Sequence, residues 1–143
     1  MKIVIGSDHG GFNLKEKIKE FLISKNIDIF DVGTHNTNST DYPDYAKKVV
    51  NGILKNEYES GILICGTGIG MSIVANRYKG IRAALCLNEY MAEMSRKHNN
   101  ANILVLGGRL LTFELAIRIV EIWLNTGFEA GRHQNRIDKI DKD

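Results

Sequence analysis

Short apolar runs alternate with longer segments of helical spacing along the chain. The apolar runs are rich in β-branched residues and most stop at or near glycine, which is typical of buried strands. The predicted strands cover residues 2–6, 27–32, 61–65, 82–86 and 103–106. Between them, apolar positions recur every three or four residues, which predicts helices. The predicted helices cover residues 12–25, 45–54, 70–77, 89–97, 113–124 and 134–140, and the polar segment 35–41 is predicted to be a loop.

This alternation predicts an α/β fold: a parallel sheet covered by helices on both faces, with right-handed crossovers. Ligands of such sheets bind beyond the carboxyl ends of the strands. Polar residues and glycines cluster after four of the predicted strands: Ser7, Asp8 and His9; residues 65–70; Asn88 and Glu89; and residues 107–109. No linker or low-complexity tract interrupts the chain, so we expect a single domain over residues 1–143.

The segment 113–124 is apolar on nearly every side. A helix of this kind is usually covered on more than one face. In a domain of 143 residues the cover is either the domain's own core or a second subunit, and we favour the second subunit.

Composition narrows the functional classes. The chain has 19 basic and 17 acidic residues, a balance that does not favour nucleic-acid binding. Its two cysteines lack a paired spacing, so a disulfide scaffold is not expected. The first ten residues, MKIVIGSDHG, do not form a signal peptide, and no apolar run has membrane-spanning length. We therefore expect a soluble cytoplasmic protein that binds neither nucleic acid nor membrane.

Residues 65–70, CGTGIG, follow the third predicted strand. The dinucleotide fingerprint, the P-loop and the cysteine-phosphatase motif all fail, because Met71 stands where a glycine or arginine is required and no lysine follows. A glycine nest remains, whose N–H groups could hold an oxyanion and favour the thiolate of Cys65. Such a loop suits covalent acyl transfer or proton abstraction beside a carbonyl. The alternative is a buried structural cysteine on a tight turn.

Other candidate functional residues also have a purely structural interpretation. Asp8 and His9 pair an acceptor with a base, yet Asp8 could simply cap a helix. His98 could be a helix C-terminal residue favoured by the helix dipole. Arg132 and Arg136 are four residues apart and could clamp a phosphate, or form surface ion pairs.

The combination of motifs identifies a resemblance. GSDHGGFNLK, TDYPDYA, GILICGTGIGMSIVAN, GIRAAL, SRKHNN, VLGGR and GRHQNRI together closely resemble the ribose-5-phosphate isomerase B family, in order, from residue 1 to about residue 140. The resemblance implies a three-layer α/β/α sandwich on a Rossmann-like five-stranded parallel sheet. It also implies a homodimer or dimer of dimers that interconverts ribose 5-phosphate and ribulose 5-phosphate through an enediolate, without metal or organic cofactor.

The resemblance also implies roles for individual residues. Cys65 is expected to be the base that moves the proton between C1 and C2. Residues Gly66, Thr67, Gly68, Ile69 and Gly70 are expected to hold the enediolate oxygens. His98 is expected to open the furanose ring with help from Asp8. The expected substrate and phosphate contacts are His9, Tyr42, Asn99, Arg109, Arg132 and Arg136. Some family members use a glutamate where this chain has Met71, so the chain follows the cysteine type.

The resemblance further implies that each site combines two subunits, with a C-terminal helix at about 132–141 reaching toward the partner. Two other functions stay open. One is isomerisation of a six-carbon sugar phosphate, such as allose 6-phosphate or galactose 6-phosphate. The other is a non-catalytic sugar-phosphate sensor, which would have no use for Cys65 or His98.

Overall fold

The structure, a computed structural model, describes residues 1–143. Five strands alternate with six helices: β1 (Lys2–Ser7), α1 (Phe12–Ser24), β2 (Asp28–Asp31), α2 (Tyr42–Leu54), β3 (Ser60–Cys65), α3 (Ile69–Ala75), β4 (Ala83–Leu85), α4 (Glu89–Lys97), β5 (Ile103–Gly107), α5 (Phe113–Asn125) and α6 (Arg132–Ile137). A short 3-10 helix, His9–Gly11, links β1 to α1. None of the helices is long and apolar enough to cross a membrane.

All strands are parallel, in the order β2-β1-β3-β5-β4. The three central strands are almost entirely buried, which explains their continuous apolar sequence. In the register, Ser7 lies beside Ile64 and Cys65 lies beside Gly107. The ends of β1, β3 and β5 therefore meet at one edge of the sheet, which we call the carboxyl edge; the opposite edge is the amino edge.

Two apolar cores cover the two faces of the sheet. One is formed with α1, α4 and α5 and contains Ile18, Ala92 and Trp123. The other is formed with α2 and α3 and contains Val49 and Met71. The predicted three-layer α/β/α sandwich on a five-stranded parallel sheet is confirmed.

The predicted boundaries differ from the structure by up to three residues. Helix α2 begins at Tyr42 instead of residue 45, because Pro43 occupies its first turn, where proline costs no hydrogen bond. Strand β4 is shortened to three residues at the edge of the sheet. Helix α6 covers Arg132–Ile137, whereas 134–140 was expected.

The apolar helix predicted at 113–124 packs partly within its own chain. Helix α5 packs against α1 and α4 of its own chain. Ala116, Ile119, Val120 and Trp123 are buried there. The core that α5 shares with α1 and α4 therefore buries one side of this helix, whereas Leu115, Ile117, Ile122 and Leu124 are only half-buried. A contact with a second subunit stays a prediction.

Candidate active site

The loop after β3 is built around the Cys65 thiol. The Sγ atom accepts a hydrogen bond from the Gly68 backbone N–H at 3.2 Å. Gly68 adopts φ of 82°, a left-handed conformation that glycine reaches without strain. Cys65 is only 5% exposed. The loop thus bends back over the sulfur and directs an N–H at it.

Thr67 and Tyr42 lie on the outer side of this loop. The Thr67 Oγ1 accepts a hydrogen bond from the Ile69 N–H at 3.2 Å, which leaves the hydroxyl proton free for another acceptor. The Tyr42 ring packs against Gly70, where an added Cβ would lie 2.5 Å from the ring. Gly70 is therefore required for tyrosine at position 42 to border the loop.

Asp8 and His9 follow β1 at the same edge. Asp8 Oδ1 accepts from the Gly11 N–H at 3.1 Å, so the capping role considered from the sequence is present. His9 Nδ1 accepts from the Thr40 N–H at 3.1 Å, and the His9 N–H donates to Thr40 Oγ1 at 3.2 Å. Because Nδ1 is an acceptor, a neutral His9 carries its proton on Nε2. Thr40 was not singled out from the sequence, although it is the first residue of the TDYPDYA motif.

Arg109 completes this group from the end of β5. Its backbone N–H donates to the Gly66 carbonyl at 3.0 Å. Its guanidinium lies beside Gly66 and Gly10, since a Cβ at Gly66 would come 3.2 Å from Arg109 Nη1. Two glycines therefore make room for a positive charge next to the Cys65 loop. We call Asp8, His9, Tyr42, residues 65–70 and Arg109 the loop group.

The remaining predicted residues form a second group around His98, the residue that caps the end of α4. Its ring stacks on His133 with centroids 4.2 Å apart. Glu129 Oε1 lies 3.6 Å from His98 Nε2 and 3.8 Å from His133 Nε2. His133 and Glu129 were missed from the sequence. His133 stands inside the quoted GRHQNRI motif, but only the two arginines around it suggested a ligand.

Burial lowers the pKa of His133, and the nearby charges of His98, Arg132 and Arg136 lower it further, while Glu129 opposes them. His133 is thus held toward its neutral form beside the ring of His98.

Arg132 and Arg136 are exposed, and neither forms an ion pair within 4.0 Å. The ion-pair alternative therefore does not apply to them. A cavity of about 450 Å³ brings them together with the second group; its lining residues are His98, Asn99, Arg132, His133, Arg136, Ile137 and Ile140. Two unpaired guanidinium groups beside an imidazole suit a phosphate ester.

The two groups lie at opposite edges of the sheet. Cys65 ends β3 at the carboxyl edge. Helix α4 runs back to the amino edge, so His98 lies near the start of β5 at Ile103. The five residues of β5 span about 16 Å. A single chain therefore does not bring His98 and Cys65 to one substrate.

His98, Glu129 and His133 also have ligand atoms within 4.8 Å of one another. A metal ion is bound in the plane of each imidazole ring. The two rings are stacked with an interplanar angle of 15°, so their lone pairs do not converge on one point. This cluster is arranged as a stacked pair with a carboxylate and not as a metal site.

Known proteins share this architecture. The model of the ribose/galactose isomerase family matches residues 3–140. The ribose-5-phosphate isomerase B of Escherichia coli is 46% identical over 139 residues, covering 97% of this chain and 93% of that protein. A crystal structure of a Thermotoga maritima ribose 5-phosphate isomerase is 61% identical with a TM-score of 0.98, covering 99% of this chain and 98% of that one.

A Mycoplasma genitalium ribose-5-phosphate isomerase B, solved with bound ribulose 5-phosphate, is 45% identical with a TM-score of 0.93. The match covers 97% of this chain and 93% of the Mycoplasma protein. The fold and these matches define a class of aldose–ketose isomerases. Within that class, the chain belongs to the ribose/galactose isomerase family. The resemblance identified from the sequence is confirmed.

Proposed function

We propose that this protein interconverts ribose 5-phosphate and ribulose 5-phosphate. Its relatives include proteins named for this activity, and one neighbour was solved with bound ribulose 5-phosphate. The observation that carries the proposal is the Cys65 sulfur held against the Gly68 N–H at the carboxyl edge. This arrangement suits a base that needs its anionic form and an adjacent oxyanion site.

In the proposed reaction, the Cys65 thiolate removes the proton from C2 of the open-chain aldose. The electron pair of that C–H bond forms the C1–C2 double bond, and the carbonyl oxygen at C1 becomes the enediolate oxygen. The free hydroxyl proton of Thr67 and the loop N–H groups stabilise this oxygen. The hydroxyl proton of O2 passes to the oxygen at C1, Cys65 returns its proton to C1, and the carbonyl forms at C2, so the ketose is produced with no atom gained or lost.

His98 opens the furanose ring by accepting the proton of the anomeric hydroxyl as the C1 carbonyl forms and the bond from C1 to the ring oxygen breaks. The ring oxygen then takes that proton from His98, and Asp8 assists at the ring oxygens. The phosphate contacts Arg132 and Arg136, with His9 and Arg109 as further donors and Asn99 contacting a sugar hydroxyl. Because the phosphate is remote from C1 and C2, its binding energy positions the open chain against Cys65.

We further propose that each active site combines the loop group of one chain with the second group of another copy, which contains His98, Arg132 and Arg136. The separation of Cys65 and His98 by the height of the sheet supports this arrangement. Strand β4 is an outermost strand of the sheet, and exposed apolar side chains lie on α3, on α4 and in the loop between β4 and α4: Ile69, Ile73, Leu87, Tyr90 and Met91. A two-fold axis that pairs these surfaces with antiparallel strands would bring the amino edge of one chain to the carboxyl edge of the other. The C-terminal segment at about 132–141 would then reach the partner's loop group.

A six-carbon substrate is the second candidate, because the family description includes galactose isomerases. The deciding experiment is turnover of ribose 5-phosphate by the purified protein in chelator, with allose 6-phosphate and galactose 6-phosphate assayed alongside. Fastest turnover of the pentose supports the proposal. Turnover only of a hexose keeps the mechanism and changes the substrate, whereas no turnover of any sugar favours a sensor.

Two variants test the assigned roles in the same assay. Cys65→Ala is expected to fold and bind substrate but to lose isomerisation, and retained turnover would remove Cys65 as the base. Arg136→Ala is expected to raise KM strongly for the phosphorylated sugar. If unphosphorylated ribose is affected equally, Arg136 does not bind the phosphate.

A further inference from the structure

A second, larger cavity opens at the amino edge, on the side of the sheet opposite to Cys65. Its volume is about 820 Å³, within the range of small-molecule sites. It is lined by residues at the start of the strands, including Lys2, Ser60 and Asn102, and by Arg82, Arg96 and Trp123. None of the residues assigned to the proposed reaction lines it.

Arg82 and Arg96 are half-buried in this cavity, and neither forms an ion pair within 4.0 Å. Arg82 uses Nε to donate to the Asn100 carbonyl at 2.9 Å. Arg96 donates through Nε and Nη1 to carbonyl and amide oxygens of residues 100, 101 and 126. Both Nη atoms of Arg82 and the Nη2 of Arg96 are left without a protein acceptor.

Burial disfavours the positive charge of both guanidinium groups. Burial lowers the pKa of Arg96, and the charge of Arg82 lowers it further. Asp141 partly offsets the burial of Arg82, but its Oδ2 accepts a hydrogen bond from the Gly80 N–H at 2.8 Å. Half-buried like charges without a carboxylate partner are stabilised by an anion that accepts from both.

Trp123 adds an independent observation. Its ring lies under the Arg96 guanidinium at 5.4 Å, and its buried Nε1 has no hydrogen-bond partner. A buried indole N–H without a partner is uncommon, so this wall of the cavity holds an unsatisfied polar group beside Arg96.

We propose that this cavity binds a small anionic molecule, through a phosphate or carboxylate group held by the free guanidinium nitrogens of Arg82 and Arg96. Glu57 and Glu59 also line the cavity and disfavour an anion on their side, so the charged group belongs at the arginine end. The remaining volume accommodates an organic part of the ligand. This site is separate from the catalytic proposal and does not depend on it.

Calorimetric titration with inorganic pyrophosphate tests the site. Because pyrophosphate also suits the catalytic arginines, the titration uses the Arg136→Ala variant. Trp123 is the only tryptophan in the chain, so its fluorescence reports on this cavity directly. We expect saturable binding with a matching change in Trp123 fluorescence. Adding Arg82→Gln should weaken that binding about tenfold or more, because a charge-assisted contact is lost.

A thermal melt checks that the Arg82→Gln protein is folded. If it is not, Arg82→Lys replaces it: the charge remains but the fork is lost, and partial weakening is expected. Absence of saturable binding to Arg136→Ala overturns the proposal. Binding that persists unchanged after Arg82→Gln or Arg82→Lys also overturns it, because the anion then lies elsewhere.

Discussion

Substitution of Gly68 by alanine should separate the geometry of the Cys65 loop from the stability of the fold. Gly68 has φ of 82°, and its N–H donates to Cys65 Sγ at 3.2 Å. An added Cβ would lie 2.5 Å from Leu85 Cδ1 and 3.1 Å from the Leu106 carbonyl oxygen. The Leu85 side chain can rotate away. The Leu106 carbonyl belongs to β5 and is fixed by the sheet, so the loop itself must move.

The structure sets the size of both effects. A left-handed alanine costs about 1–2 kcal/mol, and crowding in a packed core adds about 1–3 kcal/mol. At about 3 °C per kcal/mol for a domain of this size, Tm should fall by roughly 6–15 °C. The loop must also shift by a few tenths of an ångström, which moves the N–H away from the sulfur. Since misplacement by about 1 Å can cost a hundredfold in rate, we expect kcat to fall by about tenfold or more.

The matched control is Gly80→Ala. Gly80 has φ of 87° and therefore the same backbone strain, but its nearest neighbour would be Leu54 Cδ2 at 3.3 Å, at the amino edge. We expect this variant to lose stability and keep kcat. Both proteins are compared by thermal melts and by steady-state turnover of ribose 5-phosphate. If Gly68→Ala retains the kcat of Gly80→Ala, the position of the Gly68 N–H does not matter for the reaction.

Two further predictions concern charges that the fold holds. Lys15 is fully buried, and its Nζ lies 2.6 Å from Asp31 Oδ2. Asp31→Asn removes this partner of a buried charge, so we expect urea unfolding to show a loss of about 3 kcal/mol in stability. Asp28→Asn, at an exposed position, is the control, and equal losses in the two variants would contradict the argument. The pKa of His133 is lowered below 6.5 in the folded protein. As the pH falls below that value, the unfolded chain binds a proton at His133 more readily than the folded protein does, so the free energy of unfolding decreases. His133→Gln should therefore lose less stability between about pH 8 and pH 5 than the unmodified chain, and an identical loss would refute it.

Most of the fold could be predicted because its periodicity is local. The buried strands β1, β3 and β5 are continuous apolar runs, and the helices between them have amphipathic spacing. The errors have tertiary causes. The apolar character of α5 does not by itself show that this helix packs against α1 and α4, because which helices share a face does not follow from the periodicity of one segment.

The candidate site was predictable in part for the same reason. Asp8, Cys65 and Arg109 follow strands, so the rule for parallel sheets brings them together at the carboxyl edge. The stack of His98 on His133 was not predictable. It depends on the turn before α6, where Ala130 and Gly131 both have φ of 59°, and no sequence pattern specifies that path.

The most direct test of the shared active site is complementation between two inactive variants. Cys65→Ala and His98→Asn are prepared separately, then unfolded together and refolded as a mixture, with different affinity tags to isolate mixed dimers. If each site takes Cys65 from one chain and His98 from the other, each mixed dimer contains one intact site. Random pairing should then restore about a quarter of the unmodified activity in the whole mixture and about half in the isolated mixed dimers. Mixed dimers that form but remain as inactive as the separate variants would contradict the shared site.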